Sequence, residues 1–144
     1  MRLAGLLTVV ILLQGCSIQQ KVTPVANMEI AEITIIENPA VKTPFRDAIK
    51  TAVEKEGMTA QLGPASSTPE DYPYALTYTA NWAWDMALYL VYAEINVYNQ
   101  DKVIGTALYD ATRGGGNLGK FINAEEKVEE LIAQLFGSEP ITKK

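Results

Sequence analysis

The sequence contains no histidine and a single cysteine in 144 residues. Histidine is the commonest general base and the commonest metal ligand of proteins, so its absence excludes a Ser-His-Asp triad and argues against a zinc enzyme. Basic side chains are also few, with 12 lysines and arginines against 17 aspartates and glutamates. This acidic balance gives no reason to expect a nucleic-acid partner. We therefore expect no catalytic residues, no metal and no cofactor.

The chain opens with a positive residue and an apolar run. Arg2 precedes the uncharged stretch 3–13 (LAGLLTVVILL), whose length is typical of the hydrophobic part of a secretory signal. A transmembrane helix needs about 20 apolar residues, so this run is too short to be one. The next residues, LQGC at positions 13–16, resemble the lipobox of bacterial lipoproteins.

This resemblance implies removal of residues 1–15 as a signal peptide and attachment of lipid to Cys16. One acyl chain holds a protein to a membrane only marginally, whereas two or more anchor it stably. Residue 17 is serine, where the family's inner-membrane retention signal has aspartate, which implies an outer-membrane protein facing the periplasm. Lipid on Cys16 would leave no thiol for a disulfide or for catalysis. The mature chain would have 11 basic and 17 acidic residues, a net charge of −6.

The 129 residues that follow the signal are enough for one domain. Residues 16–27 are polar and contain a proline, so we interpret them as the lipidated N-terminus and a tether. A single domain is predicted for residues 28–137, and residues 138–144 are predicted to be a flexible tail.

Two amphipathic helices are predicted within this domain. The first begins with Thr43 as its N-cap and ends at Gly57, with apolar residues spaced along one face. The second begins at Asn123, whose side chain can cap it, and ends at Gly137. Alternating patterns predict strands over 28–37, 74–84, 87–98 and 103–110, with a further short one possible at 58–62.

The order of elements, β-α-β-β-β-α, predicts an α+β fold. We expect a two-layer sandwich in which both helices pack on one face of a mainly antiparallel sheet of about four strands. The first crossover can place the first strand parallel to a later one. The layout resembles small uncharacterised lipoproteins of Gram-negative bacteria. Its element order is also similar to domains of outer-membrane lipoproteins in lipopolysaccharide assembly and curli secretion.

A glycine-rich segment precedes the second helix. Residues 114–120 (GGGNLGK) match both the G-x-x-x-x-G-K and the G-x-G-x-x-G nucleotide patterns. Phe121 stands where the first pattern needs a hydroxyl for Mg²⁺, and no βαβ unit accompanies the second. We interpret the segment as a mobile loop, with Arg113 and Lys120 beside it available to an anion or a partner.

Aromatic residues are concentrated in the strand 74–84 and around it. A core role is one interpretation, and an aromatic platform for a glycan, peptide or lipid is the other. Leu88, Leu90 and Tyr92 alternate on the next strand and form a second candidate patch if their sheet face is uncovered. The candidate ligand or partner surface comprises Tyr72, Tyr74, Trp82, Trp84, Leu88, Leu90, Tyr92, Arg113 and Lys120.

Three carboxylates, Asp85, Glu94 and Asp110, lie in strand-rich segments. A pair of carboxylates can perform acid–base chemistry on glycosides, so they support an alternative in which the chain is a cell-wall hydrolase. A second alternative is a carrier of lipid or glycan. The leading hypothesis is a non-enzymatic lipoprotein of the outer membrane, anchored by Cys16, that binds an envelope protein or further copies of itself.

Overall fold

The computed structural model describes residues 17–26 and 29–137. The predicted signal peptide (1–15), the predicted lipidation site Cys16 and the predicted tail (138–144) lie outside the described residues.

The described residues form one mixed sheet of six strands and two α-helices. The strands are β1 (Gln19–Thr23), β2 (Glu32–Ile36), β3 (Thr59–Gly63), β4 (Tyr74–Asp85), β5 (Ala87–Asn99) and β6 (Lys102–Asp110), and the helices are α1 (Thr43–Lys55) and α2 (Ala124–Leu135). Their order in the sheet is β1-β6-β5-β4-β2-β3. β2 runs parallel to both of its neighbours, and the other pairs are antiparallel.

The predicted α+β class is confirmed, but the prediction of about four strands is wrong. The extra strand at one edge is β1, which lies in the segment predicted to be a tether and pairs with β6 from Gln19 opposite Asp110 to Thr23 opposite Thr106. Its sequence, QQKVT, has no apolar alternation because an edge strand can stay largely exposed. The folded domain therefore begins before residue 28.

Both helices pack on the same face of the sheet and enclose one core. In α1 the residues Phe45, Ile49, Ala52 and Val53 are buried, as their helical spacing predicts. The predicted N-cap is wrong by one position, since Lys42 occupies the cap and Thr43 is the first helical residue.

In α2 the predicted cap is confirmed, because the Asn123 side chain accepts hydrogen bonds from the amides of Glu125 and Glu126. The buried stripe of α2 is Val128, Leu131, Ile132 and Leu135. Within residues 17–26 and 29–137, no helix is long and apolar enough to cross a membrane.

The antiparallel strands β4, β5 and β6 are joined by two tight turns at the predicted positions. Met86 (φ 61°) joins β4 to β5, and Gln100 (φ 55°) lies in the turn between β5 and β6. β4 and β5 form a long hairpin whose register shifts near its end. Asn81 lies opposite Tyr92 but Trp82 lies opposite Leu90, so Val91 is the extra residue of a β-bulge.

Candidate functional site

The structure does not bring the nine candidate surface residues together. β4 contributes Tyr74 at its start and Trp84 near its end, and ten residue steps along the strand separate the two by about 33 Å. The candidates therefore divide into groups at opposite ends of the sheet and on its two faces.

Tyr72 and Tyr74 lie at the end of the sheet away from the β4–β5 turn. Both are half-buried, and Tyr74 packs against the core. The hydroxyl of Tyr72 covers the end of β3, since a Cβ on Gly63 would lie 2.8 Å from it. These tyrosines pack within the fold, so the prediction that joins them to a surface with Trp84 is wrong.

Trp82 lines a cleft between the β4–β5 hairpin and the first turns of both helices. Its ring meets Phe45 edge-on at 5.7 Å, and the Lys42 ammonium lies 4.9 Å from its ring centre. The volume of the cleft is about 350 Å³. Its walls are Lys42, Pro44, Phe45, Ala48, Trp82, Leu88, Tyr89, Leu90, Ile122, Asn123, Ala124 and Glu125.

Beyond this cleft the end of the hairpin is both apolar and exposed. Trp84 lies opposite Leu88 across the hairpin, and their exposed fractions are 74% and 55%. Met86, in the turn itself, is 92% exposed. Of the aromatic residues at the two ends of β4, Trp84 is therefore the exposed one, whereas Tyr74 is half-buried.

Leu90 and Tyr92 do not share a patch with Leu88. Leu90 is buried in the core, whereas Tyr92 lies on the opposite face of the sheet. The prediction assumed strict alternation along β5, but the bulge at Val91 reverses the face of every later residue.

The glycine-rich loop holds its lysine inward. Lys120 is 4% exposed, and its ammonium donates to the Asp85 carboxylate and to the Gly115 carbonyl, both at 2.5 Å. The ammonium also lies 5.2 Å from the ring centres of Tyr89 and Phe121. The prediction that Lys120 is available to an anion or partner is therefore wrong, because these internal partners occupy it.

Arg113, at the other end of the loop, is exposed as predicted. It lines a small polar depression of about 270 Å³ together with Ser17, Gln19, Asp110 and Thr112. The last part of the loop, Leu118–Lys120, forms a turn of 3-10 helix in which the Asn117 side chain accepts from the Gly119 amide.

A polar network lies on the sheet face that the helices leave uncovered. The Tyr92 hydroxyl donates to Glu94 at 2.6 Å, and the Asn96 amide donates to the other oxygen of the same carboxylate at 2.8 Å. The bond to Glu94, together with burial and the charges of Glu94 and Asp110, raises the pKa of Tyr92 to about 12. The same bond lowers the pKa of Glu94.

Asp110 lies opposite Tyr92 in the neighbouring strand. Its carboxylate accepts from the hydroxyl and the amide of Thr112, and these bonds lower its pKa. A general acid in glycoside hydrolysis needs a raised pKa, and Glu94 and Asp110 both have the opposite shift. Among the described residues there is also no group of three or more cysteine, aspartate or glutamate side chains placed to hold a metal.

The Tyr92–Glu94 bond predicts a titration. In Glu94→Gln the acceptor loses its charge, so the pKa of Tyr92 should fall from about 12 toward 10. Because the folded-state pKa is the raised one, the stabilisation from this bond is present below pH 10 and disappears as the pH rises from 10 to 12. Tyrosinate absorbance near 295 nm, taken as the difference from Tyr92→Phe, measures the shift. Glu32→Gln, on a distant strand, is the control, and an unchanged Tyr92 titration in Glu94→Gln would contradict the bond.

Three exposed apolar residues, Met86, Leu118 and Phe121, are not among the site residues that the sequence predicts. Met86 lies in the turn between β4 and β5, and Leu118 and Phe121 lie in and beside the glycine-rich segment. Leu118 is 81% exposed and Phe121 is 38% exposed. The available signal was the presence of large apolar residues in a tight turn and in a glycine-rich loop, where polar residues are usual.

Comparisons with known proteins show a likeness of fold. A point variant of PelC from Paraburkholderia phytofirmans, a dodecamer, matches with a TM-score of 0.55 and 10% identity over 83% of this chain and 95% of that chain. The PelC dodecamer of the same organism matches with a TM-score of 0.51, the same identity and the same coverage. No model of a protein family matches the sequence. No curated protein matches it either.

Proposed function

We propose that the chain is a lipoprotein of the outer membrane, anchored by lipid on Cys16, whose domain faces the periplasm and acts as a non-enzymatic binding or assembly module. The observation that carries the proposal is the LQGC sequence at positions 13–16 directly after the apolar run 3–13. The folded domain begins at β1, three residues after Cys16, so the anchor has almost no intervening linker.

The side chains that could carry chemistry support a non-enzymatic role, because each has a structural partner. Asp85 pairs with Lys120, Glu94 with Tyr92, and Asp110 with Thr112. The contacts of Asp85 and Asp110 lie at strand ends, and that of Glu94 lies within β5. The sequence offers no histidine to replace them as a general base.

Association with further copies of the chain is the form of assembly we propose. Two structures of similar fold are dodecamers, and the described sheet has free edges at β1 and β3. Unpaired edge strands present backbone donors and acceptors to another chain. A different envelope protein is the alternative partner.

Cross-linking in isolated outer membranes tests the assembly role. We expect the full-length protein to appear in a ladder of multiples of its own mass, and light scattering after mild detergent extraction to give the largest of these masses. If the extract is diluted with excess detergent before cross-linking, the ladder should persist. Copies that merely share one micelle by chance would be separated by this dilution. Recovery of a solitary species in both measurements would contradict an assembly role.

The cleft beside Trp82 favours a second candidate, a carrier of a small lipid or glycan. Its aromatic and aliphatic walls suit an apolar ligand. Its volume of about 350 Å³ is near the lower limit of ligand pockets, which span about 300–1,000 Å³. We therefore rank this candidate second.

A further inference from the structure

Exposed apolar side chains are concentrated at one end of the molecule. Seven large hydrophobic residues are exposed among those the structure describes, and five of them lie in two short segments. One segment is the β4–β5 turn and the other is the end of the glycine-rich loop. We call this set the apolar end: Trp84, Met86, Leu88, Leu118 and Phe121.

The two segments are held together as one surface. The Lys120 ammonium bonds Asp85 at 2.5 Å, which joins the loop to the hairpin. The Tyr89 and Phe121 rings also meet edge-on at 5.3 Å. The ion pair neutralises Asp85, the one acidic residue of the hairpin turn, where an unpaired carboxylate would oppose burial of the neighbouring apolar groups.

The start of the folded chain lies against the same loop. A methyl group on Gly114 would be 3.5 Å from Cγ1 of Ile18, and one on Gly119 would be 3.8 Å from its Cδ1. Only Ser17 separates Ile18 from Cys16, and two residues of chain span at most about 7 Å. A lipid on Cys16 would therefore enter the bilayer beside Leu118.

We propose that the apolar end inserts into the interfacial region of the lipid bilayer, next to the lipid on Cys16. This rests on the proposed anchor, which would hold this end of the domain against the membrane. Tryptophan prefers the membrane–water interface, and the aliphatic groups beside it gain from burial in the acyl region. Arg113, exposed at the same end, lies where it would meet lipid phosphates. We favour the bilayer over a second copy as the partner of this surface. The chain between Cys16 and Ile18 is too short to hold the apolar end away from the membrane.

The two tryptophans of the chain provide the test and its matched control. Trp82→Phe leaves Trp84 as the sole reporter at the apolar end, and Trp84→Phe leaves Trp82 in the cleft. Each full-length variant, purified from membranes, is reconstituted into phosphatidylethanolamine–phosphatidylglycerol vesicles with or without brominated phosphatidylcholine. We expect bromine to lower Trp84 emission by about twofold or more, with a blue shift, and to leave Trp82 emission nearly unchanged. Mass spectrometry of the same samples reports the lipid on Cys16.

The outcomes separate this inference from the anchor. Lipid on Cys16 with Trp84 emission that is red and unquenched by bromine would overturn the membrane contact and leave the anchor. Emission that is blue, protected from acrylamide and unquenched by bromine would assign the apolar end to a second copy, which also overturns the proposal. Quenched Trp84 without lipid on Cys16 would support the membrane contact and overturn the anchor. Neither lipid nor quenching would overturn both.

Discussion

Replacing Cys16 with serine will remove the protein from the outer-membrane fraction. A thiol can be alkylated by a diacylglyceryl group, and each CH₂ buried in the bilayer contributes about 0.8 kcal/mol, so three acyl chains make detachment negligible. With the membrane contact proposed above, the apolar end would add only five partly exposed side chains, which cannot replace three acyl chains. The membranes are separated on a sucrose gradient and the protein is detected by immunoblotting. We expect the amount of Cys16→Ser protein in the outer-membrane fraction to fall about tenfold or more.

Two substitutions at the neighbouring position control this experiment. Ser17→Asp introduces the residue of the inner-membrane retention signal, so we expect lipidated protein in the inner membrane. Ser17→Ala should stay in the outer membrane, because it changes neither the anchor nor the signal. An unchanged outer-membrane level of Cys16→Ser would show that something other than lipid holds the domain there.

Leu90→Ala will lower the free energy of unfolding by about 2–5 kcal/mol, whereas Leu88→Ala will change it by about 0.5 kcal/mol or less. Leu90 is 1% exposed, lies opposite Trp82 and belongs to the core that includes the buried residues of α1. Its truncation therefore removes buried surface and leaves a cavity. Leu88 is 55% exposed, so its side chain keeps most of its contact with water after folding. Urea unfolding followed by tryptophan fluorescence measures both, with the denaturant slope as a check that the unfolded state is unchanged.

The Leu90→Ala and Leu88→Ala substitutions test where the part of the hairpin covered by the helices ends and the exposed part begins. Both leucines point to the same face of β5, so alternation alone predicts equal burial for the two. The helices cover Leu90 and leave most of Leu88 uncovered. Equal destabilisation by the two substitutions would contradict this boundary, and with it the accessibility of the apolar end.

Local patterns were sufficient to predict most of the elements. The apolar spacing of α1 and α2, the Asn123 cap and the two turns of the β4–β6 meander all depend on residues close together in the sequence. β1 could not be found in this way. Its polar sequence forms a strand only because β6 offers an open edge, and that pairing depends on distant residues.

The candidate surface was harder to predict for the same reason. Trp84 and Leu88 are exposed at the end of the hairpin, a position that the period of two and the nearby turn determine locally. The position of Tyr92 could not be predicted because no residue of β5 signals the bulge at Val91. The burial of Leu90 could not be predicted because it depends on the helices that cover it, which are distant in the sequence. Lys120 was misplaced because its burial depends on Asp85, on a hairpin that precedes it by 35 residues.

We propose that Cys16 is the lipidated first residue of the mature protein. Mass spectrometry of the N-terminal peptide from protein purified out of the membrane tests this proposal. We expect a peptide that begins at Cys16, lacks residues 1–15, and carries a diacylglyceryl group on sulfur and an acyl group on the new amine. A chain that still begins at Met1, with an unmodified thiol at Cys16, would show that the protein is neither processed nor lipidated.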